Sequence, residues 1–421
     1  MKVLLFIAFA LITCTQAQAQ LKDLIQAALE RSPDLAAARS ESEVQALSVK
    51  SAKQSKYIPQ VSFGASSGHL HFDRSQTDAN GNEVSNDGRT SSVSAAASFD
   101  LQKLFGPEAE IAAQSQKASE LQTEITRRGI VRDVKKAYFS IVEIQNEITA
   151  FRAALDKFGR VSGVLDREKS VGVDTRLSRG QFQVQRDLVE ADLLVRTADL
   201  DLAYAQLAAI LAEPVDETIK RFSNAAEPGE LQFASVVARK EEVLGDPLLI
   251  KVLQADAELA SSEAEGYLSV PLPIVYAKIQ RDHSTVFTSD GPQTLMEAGI
   301  SLPLDGFVTR RTQKSLLNAK AQRASFTVNR RVLDYNNQVR LQSAQLQRSI
   351  DASKGFEAAE QASRTLLDQA FRFYAQKRLD AIGTTDLFQK HLQAVRNRLA
   401  NRLVMQSADA ELEYLTGGAR K

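Results

Sequence analysis

The 421-residue chain has no tryptophan, three methionines and one cysteine, and its 52 lysines and arginines are matched by 52 acidic residues. The charge balance argues against a nucleic-acid partner. The single cysteine, Cys14, lies in the first twenty residues, so the mature chain is expected to have no disulfide, thiol chemistry or cysteine-held metal. There are four histidines and no clustered set of carboxylates beside them. No phosphate-cradling glycine loop, zinc motif or Walker lysine is present. The expectation is therefore no enzyme, no cofactor, no metal and no nucleic acid. After residue 20 no apolar run approaches the ~20 residues of a membrane-spanning helix.

The chain opens MKVLLFIAFALITCTQAQAQ: one early lysine, an apolar run from Val3 to Ile12, and a small-x-small site at Ala17–Ala19. This reads as a secretory signal peptide over residues 1–19. The LITC ending at Cys14 offers lipidation as an alternative, with Thr13 a poor residue ahead of a lipidated cysteine.

Proline is scarce in an informative way. Residues 108–213 and 304–421 contain none. Proline breaks helix interiors at about 3 kcal/mol, so both blocks predict very long helices. Val134, Ala137, Ile141, Ile144, Ile148, Phe151, Leu155 and Phe158 recur at alternating spacings of three and four. Val184, Leu188, Ala191, Val195, Ala198, Leu202, Ala205 and Ala209 do the same. Both are heptad seams of supercoiled helices.

The halves repeat. Pro33 and Pro59 have the same separation as Pro247 and Pro273, and PQV at 59–61 answers PIV at 273–275. Each half reads as a short helix, a strand pair and two long helices. The expected division is 20–212 for the first repeat, 213–246 for a connector, 247–416 for the second repeat and 417–421 for a tail.

The strand pairs are expected near 59–72 with 91–102 and 272–284 with 294–304. Val275, Ala277 and Ile279 alternate with Tyr276, Lys278 and Gln280; Met296, Ala298, Ile300 and Leu302 alternate with Glu297, Gly299 and Ser301. Length and alternation fit membrane strands. Four strands cannot close a barrel, and lipid does not accept an open sheet edge. The strands are therefore either soluble hairpins or one chain's share of a barrel built by several chains. With the signal peptide, the second option reads as outer membrane, and Pro59 and Pro273 mark where helix gives way to membrane strand.

Three patterns have plainer readings. Gly64-x-Ser66-x-Gly68 fits a nucleophile elbow, but strand-like residues follow where that motif needs a helix. His69 and His71 share a strand face but lack further ligands. The acids of 187–201 have the spacing of a coiled coil's solvated face.

The order of these elements, with LKDLIQAALERSPDLAAARSESEVQALSVKSAKQSKYIPQVSF at 21–63, ISLPLDGF at 300–307 and LANRLVMQSADAELEYLTG at 399–417, resembles the TolC-like outer-membrane efflux proteins. The resemblance implies a mainly α fold with membrane β: duplicated coiled-coil hairpins forming an α-barrel, and four strands per chain in a shared twelve-stranded trimeric barrel. It implies a homotrimer in outer-membrane lipid with a long periplasmic extension. It further implies a passive exit duct for efflux or type I secretion, fed by an inner-membrane transporter through a periplasmic adaptor. A periplasmic coiled-coil adaptor or scaffold is the alternative class; it would have one hairpin between small β-domains. By the same resemblance the hairpin tips dock the adaptor, at Val171, Gly172 and Leu177 in SVGVDTRLS and at Lys377, Ile382 and Gly383 in YAQKRLDAIGTTDLF. The family's second-tip glycine falls on Lys377, and the first of its two aspartates on Gly383. By the resemblance the pore constriction falls to Tyr374 and Asp386; the plainer alternative for Asp386 is an acid in a helix's first turn, favoured by the dipole, with Thr384 and Thr385 placed to cap that helix.

Overall fold

The computed structural model describes residues 20–71, 76–77, 83–84, 87–170, 176–222, 247–268, 272–284, 293–302, 306–376 and 379–417. The expected signal peptide, Cys14, most of the connector and the tip residues Val171, Gly172 and Lys377 lie outside them. Two compact units are formed. One holds Met1–Arg39, Leu121–Lys251 and Arg330–Lys421; the other holds Ser40–Glu120 and Val252–Asn329.

Prolines stand where helices begin. After α1 (20–31), Ser32 Oγ accepts the Leu35 N–H at 3.3 Å and Pro33 opens α2 (Pro33–Ser55). A hydroxyl cap followed by a residue that needs no N–H partner is a favoured helix entry. The chain then runs through β1 (Gln60–His71), two short strands β2 (Gln76–Thr77) and β3 (Glu83–Val84), β4 (Asp87–Asp100) and α3 (Leu101–Phe105). Pro107 precedes α4 (Glu108–Ser170), and α5 (Arg176–Leu211) follows. Pro214 precedes α6 (Val215–Phe222), and Pro247 precedes α7 (Leu248–Gly266). Then come β5 (Ile274–Ser284), β6 (Gln293–Ser301), α8 (Gly306–Ala375) and α9 (Ala381–Thr416). The proline-free blocks are thus α4 with α5 and α8 with α9. At ~1.5 Å per residue the 63 residues of α4 span about 95 Å. Both α5 and α9 have 36 residues. No described helix is long and apolar enough to cross a membrane.

In the second unit, β1, β4, β5 and β6 form one antiparallel sheet in that order. The pairing of β4 with β5 joins the two halves of the sequence. Ser66 lies in mid-strand with its Oγ 2.8 Å from Ser92 Oγ, which rules out a nucleophile elbow. β4 starts earlier than the residue pattern suggested, at Asp87, and ends at Asp100 because Leu101 already opens a helix.

In the first unit three apolar clusters hold the helices. One gathers Leu24, Ala28, Val134, Tyr138, Ile141, Tyr204, Leu207 and Phe222 from α1, α4, α5 and α6. A second gathers Phe151, Phe158, Leu165, Phe182, Leu367, Tyr374 and Phe388. The third joins Ile250 to Tyr335, Leu346, Leu412 and Leu415. The pairings set direction: Asp166 with Arg179 and Gln145 with Tyr204 make α4 and α5 antiparallel. Ser363 with His391 and Tyr335 with the Leu415 carbonyl do the same for α8 and α9. Gln389 with Gln185 and Lys157 with Asp368 run the hairpins side by side, α9 along α5 and α8 along α4. Helix α9 ends on Gly417, whose φ of 84° is the left-handed geometry glycine accepts, with its N–H on the Glu413 carbonyl.

The seam on α4 is core: Val134, Ile141, Ile148, Phe151 and Phe158 are buried. The seam on α5 is not. Its buried residues are Phe182, Gln185, Val189, Ala203, Tyr204, Leu207, Ala208 and Leu211, while Val184, Leu188, Val195 and Leu202 face out. Among the described residues, this helix thus keeps an exposed heptad stripe.

Candidate functional site: an apolar sheet face and the helix tips

Residues directly paired across an antiparallel sheet share a face. The register therefore sorts the sheet into two. Val61, Phe63 and Ala65 on β1 lie with Val93, Ala95, Ala97 and Phe99 on β4, Val275, Ala277 and Ile279 on β5, and Met296, Ala298 and Ile300 on β6. On the other face lie Ser62, Ser66, Ser92, Ser94 and Ser98 with Tyr276, Lys278, Gln280 and Glu297. Soluble sheets bury the first kind of face. Here it is exposed: Phe63 at 83%, Met296 at 75% and Ile300 at 72%. The polar face is the more sheltered one along β5. Lys278 stands opposite Glu297, which also accepts the Tyr276 hydroxyl at 2.7 Å. Gly299 leaves room for that tyrosine ring; a Cβ there would lie 2.9 Å from its oxygen. Among the described residues the outer edges of β1 and β6 have no strand beside them.

The tips of the hairpins belong to the first unit. Arg176, Leu177, Gly180, Gln181 and Val184 at the start of α5 and Ile382 and Thr385 at the start of α9 line an open groove of about 400 Å³. Leu177, Val184 and Ile382 are exposed large hydrophobics. Two expected docking residues, Leu177 and Ile382, are thus brought together. Gly180 and Val184 were missed; their signal was an apolar position two turns along from Leu177 with a glycine between.

Gly383 sits in the first turn of α9. The cap of that helix is Asp380, not Thr384 or Thr385: Asp380 has extended backbone and its Oδ1 accepts the Gly383 N–H at 2.8 Å. Both threonines lie inside the helix, Thr384 buried with its hydroxyl on the Asp380 carbonyl. Asp386 is exposed in the second turn and pairs with Lys390 at 2.8 Å. Tyr374 is buried, its ring 5.1 Å from Phe182 in an edge-on contact. It ties the second hairpin to the first.

Behind the tips a charged clamp crosses three helices. Glu147 on α4, nearly buried, holds Arg196 of α5 at 3.1 Å and Arg396 of α9 at 3.2 Å. Arg396 also pairs with Asp192 and lies 5.0 Å from the Phe151 ring. Arg402 reaches buried Glu143 at 3.0 Å. Lys135 with Glu413 and Lys136 with Glu411 continue the row. The 187–201 acids are therefore only in part a solvated face. On the neighbouring face, Ser363 Oγ lies 3.0 Å from His391 Nδ1. Burial, then the charges of Lys157 and Arg364, hold the imidazole below its ordinary range, against a smaller opposing pull from Asp368.

An exposed apolar sheet face is a surface suited to lipid, and together with long helical hairpins it fits the outer-membrane channel class. Comparison with known proteins agrees. Residues 24–213 match the family model described as outer membrane efflux protein. The resemblance read from the residues therefore holds, and with it the assignment to the outer membrane with a periplasmic helical extension. No curated protein matches in sequence. Among solved structures, the chain is similar to the outer membrane protein VceC of Vibrio cholerae, with 20% identity, a TM-score of 0.75, and 96% of this chain and 98% of that one covered. It is similar to the CmeC outer membrane channel of Campylobacter jejuni, with 13% identity, a TM-score of 0.78 and coverage of 96% and 86%. It is also similar to the open state of the MtrE outer membrane channel of Neisseria gonorrhoeae, with 18% identity, a TM-score of 0.71 and coverage of 95% and 89%. At these identities the structures carry the fold alone: long helical hairpins and an antiparallel sheet.

Proposed function

We propose that the protein is a homotrimeric export duct, passive in itself, that receives cargo from an inner-membrane transporter through a periplasmic adaptor docked at the hairpin tips. The observation that carries this reading is the four-stranded sheet with its apolar face outward and both edges open. One such sheet cannot be stable in lipid, whereas three placed edge to edge make a twelve-stranded barrel with no edge left. The outward heptad stripe on α5 supports the same conclusion, because a neighbouring chain would cover Val184, Leu188, Val195 and Leu202.

The groove at Leu177, Gly180 and Ile382 is the docking site in this reading, with Val171, Gly172 and Lys377 completing the tips. Tyr374 keeps the hairpins together, and threefold symmetry gathers Asp386 at the entrance. Lys390 beside each Asp386 weakens the ring's field, so cation selectivity is modest. Planar-bilayer recording of purified trimer tests the duct: the reading expects large channels whose cation preference falls in Asp386→Asn. For docking, Ile382→Trp should leave trimer yield and conductance intact and stop export in cells. A protein that stays monomeric and silent in bilayers refutes the duct, and full export by Ile382→Trp refutes docking in the groove.

A further inference from the structure

The helical end of the sheet carries side chains that neither the barrel nor the tips account for. Gln60 pairs with Ser98, Asp100 with Ile274 and Ile274 with Ser301, so the starts of β1 and β5 and the ends of β4 and β6 lie at one level. Just beyond β1's start, Tyr57 and Ile58 are exposed at 71% and 63%, and Phe105 at the end of α3 is exposed at 67%. These are large apolar side chains exposed just past the last strand residues. Within a few residues of these along the chain are Lys53 in the last turn of α2, Lys56 in the turn that follows, and Lys103 in α3. The equivalent stretch of the second half, 252–277, has no lysine or arginine and carries Glu263 and Glu265. The acids near the first set are Asp100 at the end of β4 and Glu108 and Glu110 in the first turn of α4, where the helix dipole favours the latter two. Arg310 and Arg311 early in α8 add further positive charge at this end.

We infer that this collar binds the headgroups of anionic phospholipid in the periplasmic leaflet, with one cationic site per chain. The inference rests on the outer-membrane reading above. Aromatic side chains settle at the level of the headgroups, with their rings toward the hydrocarbon and polar tips toward water. Lysines there lay their stems along apolar surface and carry the ammonium to phosphate. The headgroup layer is about 5–7 Å deep on each side. The five residues of α3 cover about 7.5 Å, so Lys103, its third residue, lies at most about 4.5 Å beyond the end of β4 along that helix. Lys53 and Lys56 precede the start of β1 and Lys103 follows the end of β4, so all three lie on the two chain segments that leave the same end of the sheet. Each lysine that reaches an anionic surface is worth roughly a fivefold gain in lipid affinity.

The test uses purified full-chain oligomer in mixed micelles with equimolar phosphatidylglycerol and phosphatidylcholine, and counts retained lipids by native mass spectrometry. Wild type should retain phosphatidylglycerol over phosphatidylcholine by at least tenfold. The triple variant Lys53→Gln, Lys56→Gln, Lys103→Gln should retain the two equally, and the triple arginine variant should keep the preference. Equal retention by wild type, or an undiminished preference in the glutamine variant, overturns the collar. A glutamine variant that loses helix stability but not lipid preference shows that the lysines serve only the helix ends, and also overturns it. Bilayer conductance of the same preparations separates the two readings. Normal conductance without lipid preference removes the collar alone, whereas wild-type protein that does not insert removes the barrel and the collar together.

Discussion

Ile279 gives the sheet's orientation a numerical test. It stands five residues from each end of β5, exposed on the apolar face between Ala95 and Met296. At ~3.4 Å per residue and a strand tilt of about 40°, it lies about 13 Å from either end, the middle of an apolar band about 25 Å tall. A lysine at that depth costs about 2–4 kcal/mol on the lipid side. In the proposed trimer three copies make that about 6–12 kcal/mol. Gln280, one residue on, faces the other way beside Ser94 and Leu295. Gln280→Lys adds the same charge at nearly the same depth, and its expected cost is near zero. The assay is folding of urea-denatured protein into phosphatidylcholine vesicles, scored as the heat-modifiable fraction against urea concentration. Ile279→Lys should shift the midpoint far toward low urea, and Gln280→Lys should track wild type. Equal shifts for both, or a larger one for Gln280→Lys, would refute the assignment of faces.

Two further predictions concern the helices. Phe388 is 1% exposed with its ring 4.3 Å from that of Phe158, so Phe388→Ala should cost about 3–5 kcal/mol in denaturant unfolding followed by circular dichroism; a cost under ~1 kcal/mol would mean that the tip core does not hold the hairpins together. His391 titrates below its ordinary value of 6.5 in the folded chain, so the unfolded chain takes up the proton first as pH falls. The stabilisation is therefore complete above about pH 6.5 and declines below it, and wild type should unfold more readily at pH 5 than at pH 7.5. Asp368, held low chiefly by its hydrogen bond from Lys157, gives its own loss only below the usual carboxylate range. His391→Gln should flatten the profile between those pH values; an unchanged profile would assign it to other groups.

The strands were legible because membrane alternation is a local pattern. Val275, Ala277 and Ile279 take one face whatever surrounds them, since side chains alternate along a strand. Long helices were legible from absent prolines and from seams such as Val134 to Phe158. What the sequence could not separate was which apolar stripe of a helix the chain buries itself. On α5 the regular seam at Val184, Leu188, Val195 and Leu202 is exposed, and the less regular set with Phe182, Val189 and Leu207 is core. Periodicity reports an apolar face, not the partner that covers it. The same holds for charge. Asp192 and Arg196 look like any solvated pair, and only packing brings Arg396 and Glu147, far along the chain, to complete the clamp. The cap at Asp380 was hidden for a different reason: the hydroxyls of Thr384 and Thr385 suit a cap equally well by type, and the helix start decides.

The claim that one chain's sheet is part of a barrel shared by several chains is tested most directly at its edges. With Cys14 replaced by serine, a single cysteine is placed at Gly64 on β1 and another, in a series, at each of Met296, Glu297 and Ala298 on β6. Neighbouring antiparallel strands bring Cα atoms to about 4.5–5.5 Å, within disulfide reach. Oxidation of the outer-membrane fraction should give, for at least one pair in register, a ladder of two and three linked chains that stops at three. Bands of a single chain closed on itself, or no linkage from any pair along β6, would contradict the account.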